Sequence, residues 1–156
     1  MNVITRIDER LIHGQVAYSW TVEYSIDRIV VVDDDAAKNQ IQKMALSLAV
    51  PPSKKLSIFD TLEAVKFFTQ NGKTNERIFI VVKSPLTIFN LIKGGMDIKS
   101  VNVGGMYFIP GKKQLTKTVY ISEEDKQIFL QLKQLGVEAE IRTAPKDKKI
   151  NLYELI

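Results

Sequence analysis

The chain has a single histidine, and the residues around it are of the types that handle phosphate. His13 lies in residues 6–16, RIDERLIHGQV, after Arg6 and Arg10 and directly before Gly14. An unperturbed histidine titrates at about pH 6.5, so its neutral ring is available as a nucleophile near neutral pH. Arginine offers phosphate oxygens a planar fork of donors, and glycine lets backbone approach a ligand closely. This arrangement favours a histidine that accepts, holds and passes on a phosphoryl group.

The element after His13 is expected to assist that chemistry. A short first strand, around residues 2–7, leads into the His13 loop, and a helix is predicted to begin near Gly14 or Gln15. The N–H groups at the start of a helix carry a partial positive charge and bind anions. We therefore expect this helix start to lie beside the histidine ring.

Three other segments also follow predicted strands. They are Asp33 to Asp35, Lys83–Ser84 and Gly104–Gly105. Ligands of an open α/β sheet bind outside the carboxyl ends of its strands, so these segments are expected at the edge that carries Arg10 and His13.

Each of these segments also has a purely structural interpretation. The aspartates can form a helix cap and its first turn, Ser84 can cap the next helix, and Gly104–Gly105 can mark a tight turn. In the functional interpretation, Lys83 approaches a phosphate and the two glycines offer bare backbone to a phosphorylated side chain or a partner loop. Trp20 and the apolar face around Met44 are predicted to belong to the core.

The pattern of the whole chain predicts an α/β fold, because short β-branched runs alternate with longer helical patterns. We expect one open three-layer domain over residues 1–156, with a mostly parallel central sheet and helices on both faces. Ser84–Pro85 and Ser122 are predicted helix starts, and a helix from Asp60 or Thr61 is predicted to end near Gly72. One helix carries apolar residues at spacings of three and four, namely Ala37, Ile41, Met44, Ala45 and Leu48.

Composition narrows the function further. The chain of 156 residues has no cysteine, which excludes disulfides and cysteine nucleophiles. With one histidine and no cysteine, it also lacks the ligands that zinc usually binds. A net charge of +4 favours acidic partners, whereas the scattered lysines do not form a nucleic-acid-binding pattern. No apolar run is long enough for a membrane helix, and no signal peptide is recognised. Dinucleotide, nucleotide-phosphate and serine-elbow motifs are absent from the sequence.

Residues 6–16 closely resemble the active-site signature of the IIB component of the bacterial phosphoenolpyruvate-dependent sugar phosphotransferase system (PTS), mannose/fructose/sorbose family. The resemblance covers essentially the whole chain, although Glu9 stands where the family usually has a second aspartate. The further matching segments are 30–34 (VVVDD), 49–52 (AVPP), 101–106 (VNVGGM) and 136–142 (GVEAEIR).

The resemblance implies a phosphocarrier that works without a metal or a diffusible cofactor. His13 would accept a phosphoryl group on Nδ1 from a phosphohistidine of the IIA partner and pass it to a sugar carried through the membrane components IIC and IID. Arg10 would hold the phosphate, while Arg6 and Asp8 would shape the loop or bind the partner. Besides Arg6 and Asp8, the residues expected to bind the phosphate or a partner are Gly14, Gln15, Lys83, Ser84, Gly104 and Gly105.

Such a carrier would be cytoplasmic and would be held at the inner face of the membrane through IIC and IID. His13 would have to be exposed, with an apolar and basic surface around it. The sequence leaves open a homodimer, the identity of the sugar and two other functions: an anion-binding α/β domain, and a regulatory domain that signals through phosphorylated His13.

Overall fold

The computed structural model describes residues 2–70 and 74–156, and these form the predicted alternation of strands and helices. None of the described helices combines the length and apolarity needed to cross a bilayer. The elements are β1 (Asn2–Asp8), α1 (Gly14–Glu23), β2 (Arg28–Val32), α2 (Asp34–Lys38), α3 (Gln40–Ala49), β3 (Lys55–Phe59), α4 (Thr61–Gln70), β4 (Arg77–Val82), α5 (Pro85–Lys93), β5 (Ser100–Gly105), β6 (Lys113–Gln114), β7 (Tyr120–Ile121), α6 (Glu123–Gln134), β8 (Glu138–Ile141), β9 (Ile150–Asn151) and a 3₁₀ helix (Leu152–Leu155).

Seven strands form one sheet in the order β3-β2-β4-β1-β5-β8-β9, and only β9 runs antiparallel to its neighbour. The remaining two strands, β6 and β7, pair separately as a short antiparallel ribbon. The mostly parallel α/β sheet confirms the predicted fold class, whereas the strand order depends on contacts between distant parts of the chain and is supplied by the structure.

The sheet separates two apolar cores because alternate residues of each strand point to opposite faces. One core contains Ile80 of β4 and side chains of α4, α5 and α6, and the other contains the adjacent residue Val81 and side chains of α1, α2 and α3. Trp20 of α1 is fully buried in the second core, as predicted.

β1 lies between β4 and β5, and its helix packs on the opposite face of the sheet from the helices that follow its two neighbours. The connection after β1 therefore leaves the sheet in a different direction from the connections on either side. Such a divergence opens a crevice at the carboxyl edge of a parallel sheet, which is where α/β proteins bind ligands. The His13 loop occupies this position.

The predicted helix starts rest on side-chain caps. Ser84 accepts a hydrogen bond from the N–H of Thr87 at 3.4 Å, with Pro85 as the first helical residue. Ser122 and Asp125 form a reciprocal capping box at α6. These caps confirm both predicted starts, whereas the predicted helix end near Gly72 lies outside the described residues.

The prediction that the Met44 face belongs to the core is wrong. Asn39 has an extended backbone and its side chain accepts from the N–H of Gln42, so α2 ends and a separate helix, α3, begins there. α3 is therefore a helix distinct from α2, and its buried residue is Leu46. Ile41, Met44 and Leu48 are exposed.

Candidate active site

His13 occupies the N-cap position of α1, and its side chain is 22% exposed. Its Nε2 lies 3.1 Å from Oδ2 of Asp8. A carboxylate can only accept a hydrogen bond, so Nε2 carries the proton in this pair. No hydrogen bond joins Nδ1 to any described residue, which leaves the lone pair of Nδ1 free in the neutral ring.

Asp8 is the anchor of the site and is completely buried at the end of β1. Its Oδ2 accepts from Nη2 of Arg6 at 3.0 Å as well as from His13. Its Oδ1 accepts from the backbone N–H of Arg10 at 3.1 Å. The carboxylate therefore fixes the ring and the loop together, and its burial leaves it no surface with which to touch a partner. These contacts correspond to the loop-shaping alternative expected for Asp8 rather than to a contact with a partner or a phosphate.

Arg6 is also turned into the protein, with only 1% of its surface exposed. Its Nη1 donates to Oδ1 of Asn102 at 2.7 Å and to the carbonyls of Arg142 and Thr143 at 3.1 and 3.2 Å. Burial lowers the pKa of the Arg6 guanidinium, and the charge of Asp8 opposes this shift. Arg6 was expected to shape the loop or to bind a partner or phosphate, and its terminal nitrogens donate to acceptors within the fold, which corresponds to the loop-shaping alternative.

Arg10 has the opposite environment. Its side chain is 47% exposed, and Nε lies 3.6 Å from Oδ1 of Asp8. The Arg10 guanidinium therefore lies at the surface beside Asp8, the carboxylate that holds the His13 ring.

The two glycines at the end of β5 make room for the buried side chains of this site. A Cβ at Gly104 would overlap the Arg6 guanidinium, and a Cβ at Gly105 would lie 3.0 Å from Oδ1 of Asp8. The carbonyl of Gly105 also accepts from the N–H of Glu9 at 3.0 Å. The bare backbone predicted here thus accommodates Arg6 and Asp8.

The first turn of α1 starts beside the histidine without a side-chain cap. Gly14 has a positive φ of 41°, which favours glycine at this turn, and Gln15 is exposed. The backbone N–H groups of this turn can bind an anion next to His13.

Lys83 and Ser84 lie at the end of β4, the strand that pairs with β1 so that Val82 is beside Ile7. Nζ of Lys83 lies 3.5 Å from Oδ2 of Asp33, and Ser84 is engaged as the cap of α5. Asp33 itself caps α2 through the N–H of Ala36, which confirms its structural interpretation. These residues share the edge with His13, but their described contacts are with one another and with helix starts.

The segment after β5 completes the surroundings of the site. Tyr107, Phe108 and Ile109 are exposed apolar residues. Burial raises the pKa of Tyr107. The positive charge of Arg10 opposes this rise, whereas the negative charges of Asp8 and Glu9 add to it. Nζ of Lys112 lies 3.6 Å from Oε1 of Glu9, so the segment is tied to the His13 loop.

Sequence reasoning gave Asn102, Tyr107 and Lys112 no individual role. Asn102 had a usable signal, because it is a polar residue inside an otherwise apolar or small-residue strand. The other two lie in an irregular segment whose proximity to His13 depends on the tertiary fold. Within the described ranges, no group of three or more His, Cys, Asp or Glu residues could hold a metal ion.

The fold and the site together define an α/β domain that presents an anchored histidine at the carboxyl edge of a parallel sheet. Residues 2–156 match the family described as PTS system sorbose subfamily IIB component. The chain belongs to this family, which confirms the resemblance seen in residues 6–16.

Known relatives agree with this assignment. The sorbose-specific EIIB component of Lacticaseibacillus casei is 37% identical over 153 residues, which cover 98% of this chain and 93% of that protein. The mannose-specific EIIAB component of Escherichia coli K12 is also 37% identical over 153 residues, but the chain spans only 47% of its length. The crystal structure of the IIBSor domain of the sorbose permease from Klebsiella pneumoniae superposes with a TM-score of 0.93, at 33% identity over 99% of this chain and 95% of that one.

Proposed function

We propose that this chain is a sugar-specific phosphocarrier that accepts a phosphoryl group on Nδ1 of His13 and transfers it to a sugar. The donor is the phosphohistidine of a IIA protein or domain, and the sugar is one being carried by membrane components IIC and IID. The observation that carries this proposal is the 3.1 Å contact between Nε2 of His13 and Asp8, which leaves Nδ1 as the free nucleophile.

In the first step the lone pair of Nδ1 attacks phosphorus, and the phosphorus–nitrogen bond of the donor breaks with its electron pair returning to the donor ring. Nε2 of His13 keeps its proton throughout, so no proton has to move. The His13 ring gains positive character in this step, and the Asp8 carboxylate at Nε2 stabilises that charge.

In the second step a sugar hydroxyl oxygen attacks phosphorus while the bond from phosphorus to Nδ1 breaks. The electron pair returns to the ring, and the hydroxyl proton passes to a base at the sugar site or to water. A ring that is protonated at Nε2 is the better leaving group because it departs as a neutral imidazole. The same contact with Asp8 therefore assists both steps.

Charge stabilisation of the transferring group falls to Arg10 and to the uncapped N–H groups at the start of α1. Phosphoryl transfer depends mainly on such positioning and charge stabilisation. Arg6 and Asp8 act in this proposal as positioning residues rather than as phosphate ligands, because both are buried and bonded within the fold.

Docking of two successive partners requires an open surface around His13. The exposed Tyr107, Phe108 and Ile109 supply apolar area there, and the exposed Arg10 supplies positive charge. We propose that IIA and the membrane components use this surface in turn, which would place the chain at the cytoplasmic face of the membrane.

The proposal is tested by incubating the protein with phosphoenolpyruvate, the general PTS proteins and a matched IIA. We expect an acid-labile phosphate on the wild type and none on His13→Ala, because the variant lacks the nucleophile. Labelled IIA in the same reaction serves as the control for donor activity. An unlabelled wild type in the presence of labelled IIA would contradict the phosphocarrier function.

A further inference from the structure

Asn102 is a polar residue in the interior of the sheet, only 4% exposed, and both ends of its amide are bonded. Its Oδ1 accepts from Nη1 of Arg6 at 2.7 Å. Its Nδ2 donates to Oε1 of Glu140 and to the carbonyl of Arg142, both at 3.2 Å. Burial of an amide in a strand is costly unless every such bond is made, so this side chain has a defined orientation.

The sheet register brings Asn102 to Arg6. Arg6 of β1 pairs with Asn102 of β5, which in turn pairs with Glu140 of β8. The three side chains therefore stand side by side across three parallel strands, and this alignment is fixed by backbone hydrogen bonds.

A continuous chain of hydrogen bonds runs from Asn102 to the reactive ring. Asn102 holds Nη1 of Arg6, Nη2 of Arg6 holds Oδ2 of Asp8, and the same Oδ2 holds Nε2 of His13. The guanidinium is planar and rigid, so fixing Nη1 at one end fixes the direction of Nη2 at the other.

Nη1 has two remaining acceptors, which also serve Nδ2 of Asn102 and Nε1 of Trp20, respectively. They are the carbonyls of Arg142 and Thr143, which lie at 3.1 and 3.2 Å, in the segment after β8. Without the amide oxygen, the charged fork would shift towards those carbonyls and release Oδ2 of Asp8. Close contact of the guanidinium with Gly104 leaves it little other room.

We propose that Asn102 is a positioning residue that acts through Arg6 and Asp8 to keep the proton of His13 on Nε2, and thereby Nδ1 free for phosphoryl transfer. This inference rests on the proposed function for its catalytic consequence. The effect on the ring itself exists in the resting protein, before any phosphoryl group arrives.

The test uses the fact that His13 is the only histidine. Labelling histidine with ¹⁵N gives NMR signals from one ring, whose shifts report the share of each tautomer at alkaline pH. In Asn102→Leu, which nearly preserves side-chain volume but lacks the acceptor, we expect a smaller share of the Nε2–H form. Phosphoryl acceptance should slow about tenfold in kcat, because a charge-assisted hydrogen bond is lost, while KM for phospho-IIA stays within about twofold.

Two variants separate positioning from a general structural role. Asn102→Asp keeps an acceptor oxygen for Arg6, but its second oxygen would face Oε1 of Glu140, so it is combined with Glu140→Gln, whose amide can donate to that oxygen. This double variant should retain the wild-type tautomer. Glu76→Gln breaks ion pairs with Arg28 and Lys55 at the opposite ends of the strands, leaves every bond of Asn102 and Arg6 intact, and should match wild type in both measurements. If Asn102→Leu does not fold, Asn102→Ala replaces it with the same expectations.

A folded Asn102→Leu or Asn102→Ala with the wild-type tautomer share and acceptance rate would overturn the inference. Equal changes in Glu76→Gln would overturn it as well, because the effect would then follow a general loss of stability rather than the loss of the amide oxygen. If the tautomer changes as expected but the wild type accepts no phosphoryl group from labelled IIA, the positioning role stands and the proposed function fails.

Discussion

At the scale of single residues, two arginines that look equivalent in sequence have different environments in the site. Arg6 precedes Asp8 by two positions and Arg10 follows it by two, yet Arg6 is buried and Arg10 is half-exposed. Alternation along β1 explains part of this difference, because Arg6 and Asp8 point to the same side of the strand. Arg10 lies beyond the strand, in the turn held by the side chain and carbonyl of Asp8.

Replacement of Arg10 should therefore affect chemistry more than stability. We expect Arg10→Ala to slow single-turnover phosphoryl acceptance by about 100-fold, since a preorganised charge at the transferring group is lost. The free energy of unfolding should change by less than about 0.5 kcal/mol, because the side chain is largely solvated. Quench-flow kinetics and urea unfolding measure the two effects.

Arg10→Lys is the matched control for Arg10→Ala. It keeps the positive charge but loses the fork of donors, so its rate should fall between those of wild type and Arg10→Ala. Equal rates for wild type and Arg10→Ala would remove Arg10 from the proposed role.

At the scale of elements, β5 is as much part of the site as the His13 loop. It supplies Asn102 as an acceptor and Gly104 as the residue against which Arg6 lies, although it contributes no side chain to the reactive surface. The proposed chemistry would thus depend on the fit between two neighbouring strands, β1 and β5.

Gly104→Ala should disturb this fit. The added methyl group would overlap the Arg6 guanidinium, so we expect the variant to lose about 2 kcal/mol of unfolding free energy, as overpacked interiors do. Phosphoryl acceptance should fall at least tenfold, because Arg6 can no longer hold Asp8. Urea unfolding and the transfer assay provide both values.

Gly111→Ala provides the comparison at a glycine in the segment that follows β5. Its Cβ would meet no atom within 4 Å, although its φ of 96° imposes backbone strain. We expect about 1 kcal/mol of destabilisation and a wild-type rate of transfer. Wild-type transfer by Gly104→Ala would contradict the account of β5.

At the scale of the whole molecule, the two edges of the sheet have different roles. The carboxyl edge carries His13. At the amino edge, Glu76 accepts hydrogen bonds from Nε of Arg28 on β2 and from Nζ of Lys55 on β3, both at 2.8 Å, and so links these two strands. Hydrogen bonds from Arg28 and Lys55 lower the pKa of Glu76 to about 2.

This ion cluster predicts a pH dependence of stability. A carboxylate whose pKa is lower in the folded state stabilises the fold above its unfolded value of about 4.5 and loses that effect as pH falls towards 2. Glu76 should therefore contribute about 1 kcal/mol at neutral pH, a modest amount because solvent screens the cluster. Urea unfolding between about pH 6 and pH 2 should show a loss of stability that is larger in wild type than in Glu76→Gln by about this amount.

Phosphoryl acceptance by Glu76→Gln at neutral pH should equal that of wild type, because Glu76 and His13 lie at opposite edges. Equal acid sensitivity of wild type and Glu76→Gln would show that this cluster does not contribute to the pH dependence.

Short-range signals in the sequence predicted the elements whose formation depends on residues close together in the chain. The buried strand β2 and the starts of α5 and α6 followed from β-branched runs and capping residues. The orientation of α3 did not, because the break at Asn39 separates it from α2 and its apolar stripe faces outward. A motif that identifies Arg6 as important likewise cannot show that it points inward, since its acceptor Asn102 is 96 residues away.

The contacts among Arg6, Asp8 and Arg10 also determine the sign of the field that a partner meets. The buried pair of Arg6 and Asp8 is neutral as a unit, which leaves the positive charge of Arg10 at the surface. A phosphoryl group of about two negative charges would outweigh it and make the same corner negative. In the proposed carrier, the empty site would attract a phosphorylated, negatively charged donor site and the loaded site would repel it, so arrival of the phosphoryl group would itself promote the exchange of one partner for the next.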